Sequence, residues 1–145
     1  MNPATAPVWR HGPPAVGQRA SMSRMIEDTD IEHFTMISGD RNPVHYDAAA
    51  AASTRFGGIV VQGGVTSAIL NAVVAEKLPG PGTVFLETHW RFLAPTRPGD
   101  EITGEVVVTS VREDKPITTL ETRVVRGDGV VAIDGTAVCW TMDLH

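Results

Sequence analysis

The stretch that decides the fold is Val65-Thr66-Ser67-Ala68-Ile69-Leu70-Asn71-Ala72-Val73-Val74-Ala75-Glu76-Lys77-Leu78, followed at once by Pro79-Gly80-Pro81-Gly82. Ile69, Leu70, Ala72, Val73, Val74, Ala75 and Leu78 leave almost no polar face, and a helix apolar on nearly every side is a buried helix. The Pro/Gly run stops it. Downstream the period changes from helical to two: Val84, Leu86, Trp90 and Phe92 fall on one face of an extended segment, and Glu87, His89 and Arg91 on the other. Three more strand-like segments follow at 102–111, 117–126 and 130–142. Turns at 95–100, at Asp114-Lys115-Pro116 and at Gly127-Asp128-Gly129 separate them. Residues 19–26 read as one further strand. One buried helix followed by antiparallel strands predicts an α+β domain whose sheet wraps around that helix. A single helix covers one sheet face only, so the remaining apolar surface predicts a homodimer.

Upstream lies Ile37-Ser38-Gly39-Asp40-Arg41-Asn42-Pro43-Val44-His45-Tyr46-Asp47. Thr29 and Glu32 have the spacing of a capping box, and Ile31, Phe34 and Ile37 then recur at helical spacing. Gly39 sits where a helix ends, because glycine enters the left-handed region without steric penalty. Pro43 argues against a continuing helix and pushes Asn42 toward an extended backbone. Asp40 and His45 therefore flank a non-helical loop that can converge a carboxylate and an imidazole on one water. A carboxylate and an imidazole differ as residue types in unperturbed pKa, so such a pair can hold unlike protonation states near neutrality, which suits acid–base catalysis. Asp47 reads as the N-cap of a short helix over 48–54, closed by Phe56-Gly57-Gly58.

The 145 residues suit one domain with a real core. A net charge of −5 without any dense Lys/Arg run predicts no nucleic-acid partner. Cys139 is the only cysteine, which excludes an intrachain disulfide and favours a reducing compartment. No apolar run approaches the roughly 20 residues of a membrane span, and the N-terminus lacks a signal-peptide core. A cytoplasmic protein is the expectation. Residues 1–16, with four prolines, read as a flexible arm ahead of the domain at 17–145.

Ser38-Gly39-Asp40-Arg41-Asn42-Pro43-Val44-His45, with the small residue Ala51 after it, resembles the signature of the MaoC-like hydratases, the (R)-specific enoyl-CoA hydratases. Weaker matches lie in Leu78-Pro79-Gly80, Pro98-Gly99-Asp100 and residues 111–116. The resemblance implies a hot-dog fold and reversible syn addition of water to a trans-2-enoyl thioester. It places the catalytic pair on Asp40 and His45, with Gly39, Asn42 and Pro43 supporting the turn. It places the donor to the thioester oxygen on the backbone N–H of Gly63, where the helix N-terminus adds partial positive charge. It implies no metal or redox cofactor; coenzyme A or a carrier protein's pantetheine is part of the substrate. Relatives commonly carry His-Gly-Met or His-Gly-Leu where this chain has Gln62-Gly63-Gly64, so Gln62 and Gly64, and Asn71 further along the helix, are expected to shape the pocket. A hot-dog thioesterase and a non-catalytic acyl-thioester-binding subunit are the alternative readings.

Other features have plainer explanations. Asp40 and Asn42 are also suited to Asx turns. His89 reads as an exposed strand residue, and His11, His33 and His145 lack metal-ligand spacing. Neither a dinucleotide fingerprint, a phosphate loop nor a Gly-x-Ser-x-Gly elbow is present. Cys139 reads as a small core residue.

Overall fold

The computed structural model describes residues 7–144. Five strands, β1 (Arg19–Met25), β2 (Thr83–Phe92), β3 (Glu101–Val111), β4 (Ile117–Arg126) and β5 (Val131–Thr141), form one antiparallel sheet in the order β1-β3-β4-β5-β2. Between β1 and β2 the chain makes α1 (Asp28–Ser38), α2 (Pro43–Tyr46), α3 (Ala48–Ala52) and α4 (Gly63–Glu76). The apolar helix α4 lies against one face of the sheet, and its Leu70 and Val73 are fully buried. It begins two residues before the expected start and ends two residues before Leu78. The core joins α4 to Ile102, Val106, Val108, Leu120, Val124, Ile133, Ala137 and Cys139 on the alternating inner positions of β3, β4 and β5. This is the expected sheet wrapped around a central helix. Burial pushes the Cys139 thiol up to about 12, in keeping with a small core residue.

The outer edge strand departs from simple alternation. The β2–β5 register shifts between Phe85 and Glu87, so Leu86 is a bulge residue. Phe85 pairs with Cys139 and Trp90 with Gly135, which puts these two rings on the core face although they are an odd number of residues apart. They meet edge to face, with centroids 5.6 Å apart. Val84 and Leu86 do not share the face of Trp90, as a strict period of two had predicted; both are exposed. The extra residue of a bulge inverts the alternation on one side of it. Trp90 crosses Gly135 and donates its Nε1–H to Thr122 Oγ1 at 3.0 Å. Gly135 has φ 151°, and a Cβ built there would stand 1.8 Å from the His89 carbonyl oxygen. Only glycine lets β2 and β5 approach this closely.

Residues 1–6 of the expected arm lie outside the described residues. In its second half, Trp9 Nε1–H donates to the Arg112 carbonyl at 3.1 Å, and Arg10 pairs with Asp143 at 2.9 Å. No helix among the described residues is long and apolar enough to cross a membrane.

Candidate active site

Helix α1 begins earlier than its residues suggest. Glu27, not Thr29, is the N-cap, and its N–H donates to Asp30 Oδ2 at 2.8 Å; that oxygen also receives Arg24 Nη2 at 2.7 Å. Asp30 wins because it is at the third helical position, the place from which a carboxylate reaches back to the cap, and it gains a guanidinium there. The helix ends as expected. Gly39 adopts φ 77°, and its N–H returns to the Thr35 carbonyl at 2.7 Å. Ile37, expected on the inner face with Ile31 and Phe34, is 84% exposed; the buried partner of Ile31 is Thr35, one turn on.

Past Gly39 the loop is built from side chains that bond their own backbone. Ser38 Oγ accepts the Asp40 N–H at 3.0 Å. Asp40 Oδ1 accepts the Asn42 N–H at 3.0 Å, and Asn42 Oδ1 accepts the Val44 N–H at 3.3 Å. Pro43 then opens the helical turn α2, where a non-helical loop as far as His45 was expected. Proline has no N–H to lose at the first helical position, and its fixed φ suits that position. His45 is thus on a helical turn capped by Asn42, not in a plain loop. Asp47 caps α3 as expected, its Oδ1 accepting the Ala50 N–H at 3.1 Å, although the helix stops at Ala52 rather than at residue 54.

The consequence is convergence. His45 Nε2 stands 3.5 Å from Asp40 Oδ2. The two oxygens of Asp40 are divided: Oδ1 is held by the turn and Oδ2 faces the imidazole. His45 is nearly buried, while Asp40 keeps about a third of its side chain open to solvent. The imidazole is fixed from behind, with Nδ1 2.6 Å from the Val60 carbonyl oxygen. A carbonyl only accepts, so Nδ1 carries the hydrogen, and in the neutral ring Nε2 is an acceptor. With the ring neutral, the two atoms that face each other are both acceptors, an arrangement that receives the two hydrogens of one water.

The segment that holds His45 leads directly to the helix N-terminus. Val60 N–H donates to the Val44 carbonyl at 3.3 Å, and three residues later Gly63 is the first residue of α4. The first amides of a helix have no intrahelical acceptor, and the helix dipole makes that end electropositive. Gly63 is exposed, with the Phe92 ring beside it. Gln62 does not open into a pocket. It is 1% exposed, and Nε2 donates to the Ile31 carbonyl and to Thr35 Oγ1, both at 3.1 Å. Gly64 packs against Phe34: a Cβ there would come within 2.0 Å of the ring, which would have to move. Asn71 is exposed and lies eight residues beyond Gly63, about 12 Å along the helix axis. The structure thus unites Asp40, His45 and the turn residues, leads through Val60 to Gly63, and turns Gln62 into a link between α1 and α4.

Among the described residues no three His, Cys, Asp or Glu side chains gather as a metal site would need. A groove of about 800 Å³ lies on the outer sheet face, lined in part by Arg19, Glu105, Arg123 and Asp134, and does not include Asp40 or His45. Its charges are largely satisfied within the sheet, Arg123 by Glu105 at 3.4 Å and Arg91 by Asp134 at 3.0 Å. We assign no chemistry to it.

Comparison with known proteins bears on the same region. Residues 12–128 match the family described as MaoC like domain. The chain is 40% identical over 123 residues to the (R)-specific enoyl-CoA hydratase of Aeromonas caviae, covering 85% of this chain and 92% of that protein. It is 35% identical over 123 residues to the 3-hydroxybutyryl-CoA dehydratase of Methylorubrum extorquens, covering 85% and 78% of the two chains. The solved structure of an (R)-hydratase from A. caviae superposes with a TM-score of 0.84 at 38% identity, over 89% of this chain and 98% of the other.

Proposed function

The chain belongs to the MaoC-like hydratase family, and from that membership we propose that it catalyses the reversible syn hydration of a trans-2-enoyl-CoA to the (R)-3-hydroxyacyl-CoA. The observation that carries the assignment is the pair of facing acceptors, Asp40 Oδ2 and His45 Nε2, 3.5 Å apart with the imidazole tautomer fixed by Val60. A water donating to both is held and polarised at one point. As its oxygen attacks C3 of the enoyl chain, one hydrogen passes to the pair and the double-bond electrons move toward the thioester. Negative charge collects on the thioester oxygen, where the Gly63 N–H and the α4 dipole stabilise it. The pair then returns its proton to C2 from the side on which the water stood, so oxygen and hydrogen add to the same face. Coenzyme A, or a pantetheine arm in its place, enters as part of the substrate, and none of these steps calls on a metal or redox cofactor.

The assay is direct. With trans-2-butenoyl-CoA the enoyl absorbance should fall without release of free thiol, and the product should be the (R) alcohol. Thiol release would instead identify a thioesterase, and absence of both signals would leave only a binding role.

The reading includes a homodimer in the cytoplasm. β2 is an edge strand whose outward N–H and C=O groups lack a strand partner among the described residues, and Val84, Leu86, Phe92 and Leu93 on and beside it are exposed. Apolar edges of this kind associate, and Met36 and Ile37, close to Asp40 in the sequence, are exposed as well. Sedimentation equilibrium should give a particle of two 15.5 kDa chains; a single-chain mass at assay concentration would remove this part of the proposal. The solitary, buried Cys139 supports the compartment.

A further inference from the structure

Thr35 is a polar residue inside an amphipathic helix, and it is 3% exposed. Its hydroxyl lies 3.0 Å from the Ile31 carbonyl, the ordinary contact of a helical threonine with the preceding turn. Three further partners are not ordinary. The Asp40 carbonyl is 2.7 Å away, Gln62 Nε2 is 3.1 Å away, and the Tyr46 hydroxyl is in close contact. Each belongs to, or adjoins, a residue of the proposed site: Asp40 itself, Tyr46 next to His45, and Gln62 next to Gly63. They come from three separate segments, the turn after α1, the helical turn α2 and the start of α4.

The hydrogens can be counted. The Ile31 carbonyl only accepts, so the Gln62 amide must present its nitrogen there, and its second hydrogen goes to Thr35 Oγ1. Thr35 has one hydrogen to give, and the Asp40 carbonyl is nearer than that of Ile31. Tyr46, in close contact, directs its own hydrogen to Thr35 Oγ1, which then accepts from Gln62 and Tyr46 and donates to Asp40. A buried relay therefore runs from the Gln62 amide through the Thr35 hydroxyl to the Asp40 carbonyl, and bonds in such a chain strengthen one another. A valine would occupy nearly the same volume and make none of them, leaving the Asp40 carbonyl and a Gln62 N–H unmet in a closed space.

We propose that Thr35 is the positioning residue of this site, its hydroxyl tying the backbone at Asp40, the turn bearing His45 and the residue before Gly63 to one point. The proposal rests on the roles given above to Asp40, His45 and Gly63. Thr35 touches neither water nor substrate. It sets the spacing between the group that activates the water and the amide that receives the enolate charge, and displacements well below an atomic diameter are costly there.

The test is steady-state hydration of trans-2-butenoyl-CoA by the wild-type chain and by Thr35→Val, Thr35→Ser, Gln62→Met and Asp40→Asn, each normalised to the folded fraction. Thr35→Val should lower kcat by about thirtyfold and change KM by less than about threefold, the signature of displaced rather than unbound reactants. Thr35→Ser, which keeps the hydroxyl, should return kcat to within about threefold of wild type. Gln62→Met should also lower kcat, and combining it with Thr35→Val should cost no more than the worse single change, because both act through one hydroxyl. A Thr35→Val kcat within about threefold of wild type overturns the proposal, as does a rise in KM alone or a serine variant as impaired as the valine one. Should Thr35→Val not fold, Gln62→Met decides: an unchanged kcat overturns the proposal. If Asp40→Asn keeps full rate, the assignment of the pair itself has failed and the proposal falls with it. If Asp40→Asn is impaired and the Thr35 and Gln62 variants are not, only the positioning role has failed.

Discussion

Asp40→Asn is expected to fold normally and to hydrate trans-2-enoyl-CoA at least about a hundredfold more slowly than the parent, the scale of loss when an acid–base group is removed. Both halves of that expectation come from the geometry. Oδ1 accepts the Asn42 N–H, and the oxygen of an asparagine amide does the same, so the turn survives. Oδ2 faces the bare Nε2 of His45, and an amide nitrogen placed there donates a hydrogen where the parent accepts one. The water then finds one acceptor instead of two and has no carboxylate beside it. Circular dichroism and the denaturation midpoint should match the parent while kcat falls. Full activity in the folded variant would remove Asp40 from the mechanism.

Gly135→Ala should be the most damaging single-methyl change in the sheet, lowering stability by about 3 kcal/mol or more through backbone strain and overpacking together. The atoms that a Cβ would meet are the His89 carbonyl oxygen at 1.8 Å, the His89 carbonyl carbon at 2.9 Å and the Trp90 Cα at 3.0 Å. All three are backbone, so no side chain can swing aside. The φ of 151° is itself one that a residue with a Cβ rarely adopts. Relief must come from parting β2 and β5, which would also draw Trp90 off Thr122. Domains of this size hold only about 5–15 kcal/mol in total, so the urea midpoint should drop sharply, with the slope showing whether the edge strand has come loose. An unchanged midpoint would mean that the two strands are not held at this separation.

The parts of the structure legible in the sequence are those written in periodicity and in residues with special backbones. The all-round apolar 65–78 stretch announced a buried helix, and the alternating segments after it announced a sheet. Gly39 and Asp47 marked a helix end and a helix start. What the sequence hid has specific causes. Counting only apolar residues selected Ile37 and passed over Thr35, because a threonine that satisfies its hydroxyl internally looks like a surface residue. The bulge at Leu86 inserts a residue without any Gly or Pro to announce it, so a fixed period of two assigned Val84 to the wrong side. Pro43 was read as a helix breaker because proline ends helices more visibly than it starts them. Gln62 and Gly64 seemed to line a pocket, since the motif around them differs from that of relatives. Their true neighbours, Thr35 and Phe34, are nearly thirty residues away in the chain, and only the fold brings them together.

The split duty of the Asp40 oxygens shows why formal charge alone does not qualify a residue for that place. One oxygen is an anchor and the other a tool, and both must lie on a side chain short enough to reach an amide two residues ahead. Glutamate carries the same charge on a longer lever. To keep its anchor it would have to buckle, and to keep its tool in line with the imidazole it would have to let the anchor go. Reach, more than acidity, sets what this position can accept.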